Sequence, residues 1–272
     1  MKGIAFGQYY PASSPLHRLD PRIKLILTVL YIVCSFLCRN ILSYALLLLS
    51  AMLLVAFGRV PLKIILKGLK PVLFVIAFTA VLNIFWTEGE MLLFEWKFIR
   101  IYAEGLYAAL FIMIRIAVLI IGTGMLLTYT TTPIALTNAI EDLLAPLKLL
   151  HVPVHSFAMM MSIALRFIPT LAEETEKIMT AQKARGADFS SGSLVSRAKA
   201  LIPILVPLFV SAFNRAGDLA TAMECRCYNG GKGRTRMTVR HMRLWDFIPL
   251  ILIVLLGTAL VLLNIYGFGY TK

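Results

Sequence analysis

Two short polar islands hold the side chains whose types and spacing suit them best for chemistry. Ala181-Gln182-Lys183-Ala184-Arg185-Gly186-Ala187-Asp188 and Ala222-Met223-Glu224-Cys225-Arg226-Cys227-Tyr228 are built alike, each closing a long, largely apolar segment with one arginine between two small residues. A guanidinium is a planar fork of donors matched to carboxylates. With no bulky neighbour it can enter an acidic pocket with the backbone close behind. The chemistry this suggests is binding rather than bond-making. A simpler reading makes each arginine a solvated cation favoured by the negative end of a helix. Two sites of one design, 41 residues apart, weigh toward docking.

The other reactive side chains do not assemble into a site. Cys225 and Cys227 have no second cysteine pair or nearby histidine to complete a four-ligand zinc site, so no metal is expected. His17, His151, His155 and His241 do not recur at metal-ligand spacing. Asn229-Gly230-Gly231-Lys232-Gly233-Arg234-Thr235 looks like a phosphate loop, but Gly233 stands where Ser or Thr must follow the lysine. No nucleophile, base and orienting group stand out together. The chain is expected to be no enzyme and to carry no cofactor.

The elements that position the two arginines follow from composition. The chain is 59% hydrophobic and 15% charged, with a mean hydropathy of +0.82, far more apolar than a soluble protein of 272 residues needs to be. The net charge of +13 does not point to nucleic acid, because the basic residues lie between apolar runs without interleaved aromatic platforms. Residues 1–22 show no secretory signal peptide, and Pro11, Pro15 and Pro21 suggest an irregular leader. Apolar runs at 23–38 and 41–57 read as a tight transmembrane hairpin, with Cys34 and Cys38 as packing residues on one helix face. Arg59, Lys63, Lys67 and Lys70 form a basic connector in which Pro61 and Pro71 bracket an amphipathic turn of helix. Further spans follow at 72–86, 106–127 and 247–265. Arg115, inside the fourth span, should face the bundle interior or a partner, in a structural or a functional role. With the N-terminus inside, 22 of the 27 lysines and arginines fall on the cytoplasmic side and four outside. That bias sets five spans with the C-terminus outside.

Segment 129–246 parses into three helices. Thr132 caps the first, with Pro133 at its first position. The second starts at Pro153 and is ended by Gly186, with Arg185 in its last turn. Its apolar residues recur every three or four positions, and Glu173, Glu174 and Glu176 form a solvated charged end. Ser190-Ser191-Gly192-Ser193 makes a turn, and the third helix runs to the second arginine. The run 201–210, with Pro203 and Pro207, is too short for a sixth span and reads as a buried or interfacial helix. Met159, Met160 and Met161 are either gap-filling core or an adaptable surface for more than one partner. The expected fold is an all-α integral membrane protein with about five transmembrane helices and a cytoplasmic domain of about three long amphipathic helices. Its parts are a four-span domain at 1–128, the cytoplasmic domain at 129–246 and a last span at 247–272.

Thr131-Thr132-Pro133, the run Ser162 to Leu171, Ala181 to Asp188, and Ala222 to Tyr228 followed by 229–236 together resemble the transmembrane (T) component of energy-coupling factor (ECF) transporters. Ser14 to Arg22 fits as well, so the resemblance covers nearly the whole chain. It implies a coupling subunit in a bacterial or archaeal cell membrane, joining two cytoplasmic ABC-type ATPase subunits to a membrane-embedded substrate-binding (S) subunit for a vitamin or metal ion. The implied docking residues are Ala184, Arg185 and Gly186 on one ATPase and Cys225, Arg226 and Cys227 on the other. The second motif departs from the first by placing cysteines where the first has Ala184 and Gly186, which makes it bulkier. Two other classes stay open: an integral-membrane enzyme acting on lipid-phase substrates, and the permease of an ordinary ABC importer, which would more naturally present one motif per chain.

Overall fold

The computed structural model describes residues 9–87, 92–96, 99–150, 152–187, 189, 193–230, 242 and 244–266. Residues 190–192 of the expected turn, the glycine-rich stretch from Gly231, His151, His241 and the last six residues lie outside the described residues. The chain divides into two units, one of Gly7–Ala139 with Arg240–Lys272 and one within Ile140–Val239.

In place of an irregular leader, the described residues from Tyr9 on include two helix starts. Pro15 and Pro21 each open a helix, α1 (Pro15–Arg18) and α2 (Pro21–Leu37). A proline costs nothing at a first helical position, where its missing N–H would be unpaired anyway. Ser14 and Asp20 cap these helices, accepting from the backbone N–H of His17 and of Arg22. His17 ties the leader together: its Nε2 donates to the carbonyl of Tyr10 at 2.8 Å, which leaves Nδ1 to accept from the Ser14 hydroxyl at 2.7 Å.

Lys24 anchors this knot from below. It is 1% exposed, and its Nζ donates to the Thr130 carbonyl at 2.9 Å and the Thr131 hydroxyl at 3.3 Å. A buried ammonium is tolerable only when its donors are used. Here they fasten the start of α2 to the chain that leaves the bundle.

α2 buries one stripe, Ile23, Leu27, Tyr31, Cys34 and Cys38, at spacings of three and four. It packs on α5 (Ala103–Thr123) and α9 (Ile248–Ile265), and its Tyr31 hydroxyl meets the Ser50 hydroxyl of α3 (Ile41–Gly58) at 3.5 Å. Cys34 and Cys38 are buried free thiols, as packing residues should be. Gly122 of α5 lies against the ring of Tyr31, where an added Cβ would stand 2.0 Å from Cε1. At the other end of α2, Asn264 donates to the Leu37 carbonyl at 2.6 Å and Asn40 to the Leu263 carbonyl at 3.1 Å. These side chains satisfy helix termini that lipid cannot.

α4 (Leu62–Trp86) corrects the expected connector: it is one helix running through Pro71. The connector and the third span are therefore a single element. A β-hairpin, β1 (Leu92–Trp96) paired antiparallel with β2 (Ile99–Tyr102), is the one strand pair among the described residues of an otherwise helical chain. α5 passes into a π-helical turn, Gly124–Thr128, in which Met125 and Leu126 are buried. Six described helices are long and apolar enough to cross a membrane. They include the segments Val154–Ala184 and Arg197–Cys225, whereas α2, at 17 residues, falls just short of that length.

Candidate functional site

α6 (Pro133–Leu143) starts as its sequence dictates, with the Thr132 hydroxyl accepting from Ala135 N–H at 3.3 Å. A 3₁₀ segment, Ala145–Leu150, leads to α7 (Val154–Ala184), and Glu141 Oε1 meets His155 Nδ1 at 3.0 Å. α8 runs over Leu194–Cys225.

α7 and α8 end in the same backbone structure. After Ala184, Gly186 N–H donates to the Lys183 carbonyl at 3.0 Å and Ala187 N–H to the Gln182 carbonyl at 3.0 Å, with Gly186 at φ +85°. After Cys225, Cys227 N–H donates to the Glu224 carbonyl at 2.9 Å and Tyr228 N–H to the Met223 carbonyl at 3.0 Å, with Cys227 at φ +55°. Both are Schellman caps, in which one left-handed residue turns the chain back so that two orphan carbonyls are satisfied. Arg185 and Arg226 occupy the identical cap position, each between a last helical residue and a left-handed one. Both arginines and their four neighbours, Ala184, Gly186, Cys225 and Cys227, are exposed. The small residues thus have a backbone reason as well as a steric one: glycine takes positive φ freely, and Cys227 takes it at a cost.

Between 163 and 223 the two helices touch along an apolar seam. Ile163, Phe167 and Leu171 of α7 and Ala212, Ala216, Leu219 and Ala220 of α8 line a cavity of about 260 Å³. Glu174, expected on a solvated face, instead reaches across. Its Oε1 accepts from the Ser211 hydroxyl at 2.5 Å and its Oε2 from Arg215 Nη2 at 2.9 Å. This was missed because neighbouring Glu173 and Glu176 made the whole run look wet. The available signal was Ser211 and Arg215 at i and i+4, one face of the facing helix.

Met160 and Met161 are exposed with Phe157, on one side of α7, while Met159 is half-buried. The run 201–210 is not buried in this chain. Ile204 alone is buried; Leu201, Ile202, Leu205, Val206, Phe209 and Val210 are exposed. The prolines at 203 and 207 lie inside α8 without ending it.

Arg115 belongs to the bundle. One Nη donates to the Cys38 carbonyl at 2.8 Å and to the Tyr44 hydroxyl, and the guanidinium lies 5.5 Å from the Tyr44 ring centre. It closes the carbonyl end of α2. Among the described residues no cluster of three or more His, Cys, Asp or Glu could hold a metal ion.

A family model described as a cobalt transport protein, CbiQ, matches residues 12–238. The chain is 50% identical over 264 residues to the energy-coupling factor transporter transmembrane protein EcfT of Ruminiclostridium cellulolyticum, covering 97% of this chain and 98% of that one. The chain belongs to the T components of ECF transporters. Two further relatives with the same description are 53% identical over 237 residues, in Brevibacillus brevis, and 51% identical over 236 residues, in Bacillus subtilis. Each covers 87% of this T component and 89% of the relative. The resemblance carried by the sequence motifs is therefore correct, and the protein is a membrane-embedded transport component.

Proposed function

We propose that this T component couples two cytoplasmic ABC-type ATPase subunits to a membrane-embedded S subunit that binds a vitamin or metal ion. Arg185 docks one ATPase and Arg226 the other, each flanked by its small residues. The observation that carries this reading is the repetition of one exposed, arginine-bearing cap at the ends of two long helices that pack on each other. Docking of this kind places a fixed charge at the end of a lever, so movement of the ATPases is delivered to the helices. α7 and α8 lie on the cytoplasmic side with the N-terminus, and the C-terminus lies outside, as the basic residues favour. Both helices have the length and apolarity of spans, yet their charged ends, Glu173 to Lys183 and Asp218 to Arg226, suit water better than lipid. The exposed apolar faces around Met160, Met161 and Phe209 are the surface offered to the S subunit.

Losing one partner of a buried charged pair costs roughly 3 to 5 kcal/mol, which weakens a contact by orders of magnitude. Arg185→Glu with Arg226→Glu is expected to leave the chain inserted in the membrane and unable to hold the ATPases in a pull-down. Retention of both ATPases at high salt would overturn the assignment.

A further inference from the structure

Among the described residues, the seam between α7 and α8 sets a polar contact beside apolar ones. Glu174 uses one carboxylate oxygen on Ser211 and the other on Arg215, and Arg215 Nε lies 3.5 Å from the Ser211 hydroxyl, so the three groups close a triangle. The pair is partly wet, with Arg215 38% and Glu174 23% exposed, and contacts of that kind add little to stability. What such a triangle adds is geometry, since it is satisfied at one register and one rotation of the helices.

The rest of the seam does not supply that constraint. Helix crossing is ordinarily fixed by ridges of side chains seated in grooves. On α8 the facing row is Ala212, Ala216 and Ala220, which makes a low ridge, with Leu219 and Met223 as the larger side chains beside it. Phe167 and Leu171 therefore meet mostly small side chains, past which the helices can shift. The polar triangle also stands equally far from the two arginines. Glu174 precedes Arg185 by 11 residues and Arg215 precedes Arg226 by 11, so each arm is roughly 16 Å long at 1.5 Å per residue.

We propose that Glu174, Ser211 and Arg215 form the pin that sets how α7 and α8 cross, and so hold the two arginine-bearing ends at one separation. This deepens the docking reading above and rests on it for its functional consequence. The three are positioning residues: they act through the helices and meet no ATPase themselves. With the pin intact, a displacement imposed at one end is passed across the crossing to the other. Without it, the helices slide along the alanine row and the displacement is absorbed there.

The test uses the full chain purified in nanodiscs with its ATPases. Cys225→Ala and Cys227→Gly remove the exposed thiols and copy the first cap, and spin labels on Lys183→Cys and Ala222→Cys report the distance between the ends. Glu174→Gln and Arg215→Gln are expected to broaden the distance distribution at least two-fold, and Glu174→Arg with Arg215→Glu to narrow it again. ATPase co-purification should match that of the labelled background in all three, because both arginines are intact, while uptake per ATP hydrolysed, read in sealed proteoliposomes that also hold an S subunit, falls in the single variants and recovers in the double. Parent-like widths in both single variants, or a folded double variant that stays broad, would overturn the pin. Should a single variant misfold, Ser211→Ala and Arg215→Lys are expected to broaden the distribution partly, and a parent-like width there counts equally against it. Loss of the docking reading would show instead in the Arg185 and Arg226 reversals, which leave the distance measurement free to decide.

Discussion

The second cap contains a cysteine where the first has a glycine, and that difference has a calculable consequence. A left-handed backbone costs a residue with a Cβ roughly 1 to 2 kcal/mol, and glycine forfeits part of that advantage, about 0.5 to 1 kcal/mol, through its freer unfolded chain. The net gain for Cys227→Gly at φ +55° is about 0.5 to 1 kcal/mol of local stability. Gly186 offers the converse test. An added Cβ meets no atom within 4 Å, so Gly186→Ala measures the φ cost less the unfolded-chain entropy, with no steric clash, about 0.5 to 1 kcal/mol in the opposite direction. Amide exchange in the last turn reads both. Protection of the Tyr228 amide, which donates to the Met223 carbonyl, should rise two- to five-fold in Cys227→Gly. Protection of the Ala187 amide, which donates to the Gln182 carbonyl, should fall by a similar factor in Gly186→Ala. A fall in Cys227→Gly, or no change in Gly186→Ala, would refute the argument that backbone conformation selects the residue after each arginine.

Three further outcomes follow from the bundle and its surface. Gly122→Ala drives a methyl into the Tyr31 ring and should cost roughly 1 to 3 kcal/mol, seen as a lower Tm in detergent. Arg115→Leu leaves the Tyr44 hydroxyl and the Cys38 carbonyl without this donor in an apolar setting. It should lower Tm while the ATPases still co-purify, whereas an unchanged Tm with lost uptake would mean a direct part in transport. Replacing Met159, Met160 and Met161 together by leucine should impair exchange between different S subunits and spare ATPase assembly. Equal exchange in a competition assay would remove the adaptable-surface reading.

Much of the fold was legible because each signal was local. Thr132 with Pro133 marked a helix start, and Gly186 a helix end. Two local readings were overridden. Pro71 ends a helix by local rules, yet α4 runs through it. The prolines of the leader suggested an irregular segment, yet Pro15 and Pro21 open helices that His17, Lys24 and the Thr130 carbonyl, far along the chain, tie down.

Apolar length and charge distribution determined by themselves that this is a helical membrane protein, and the motifs around the two arginines carried its resemblance to the T-component family, since each of these is carried by residues adjacent in the chain. Only the tertiary structure decided that the two arginines occupy one and the same cap geometry, that Arg115 closes a helix end, and that Glu174 reaches across to Ser211 and Arg215. Those facts depend on backbone dihedrals and on groups tens of residues apart being brought within hydrogen-bond reach, and no local pattern encodes such a meeting.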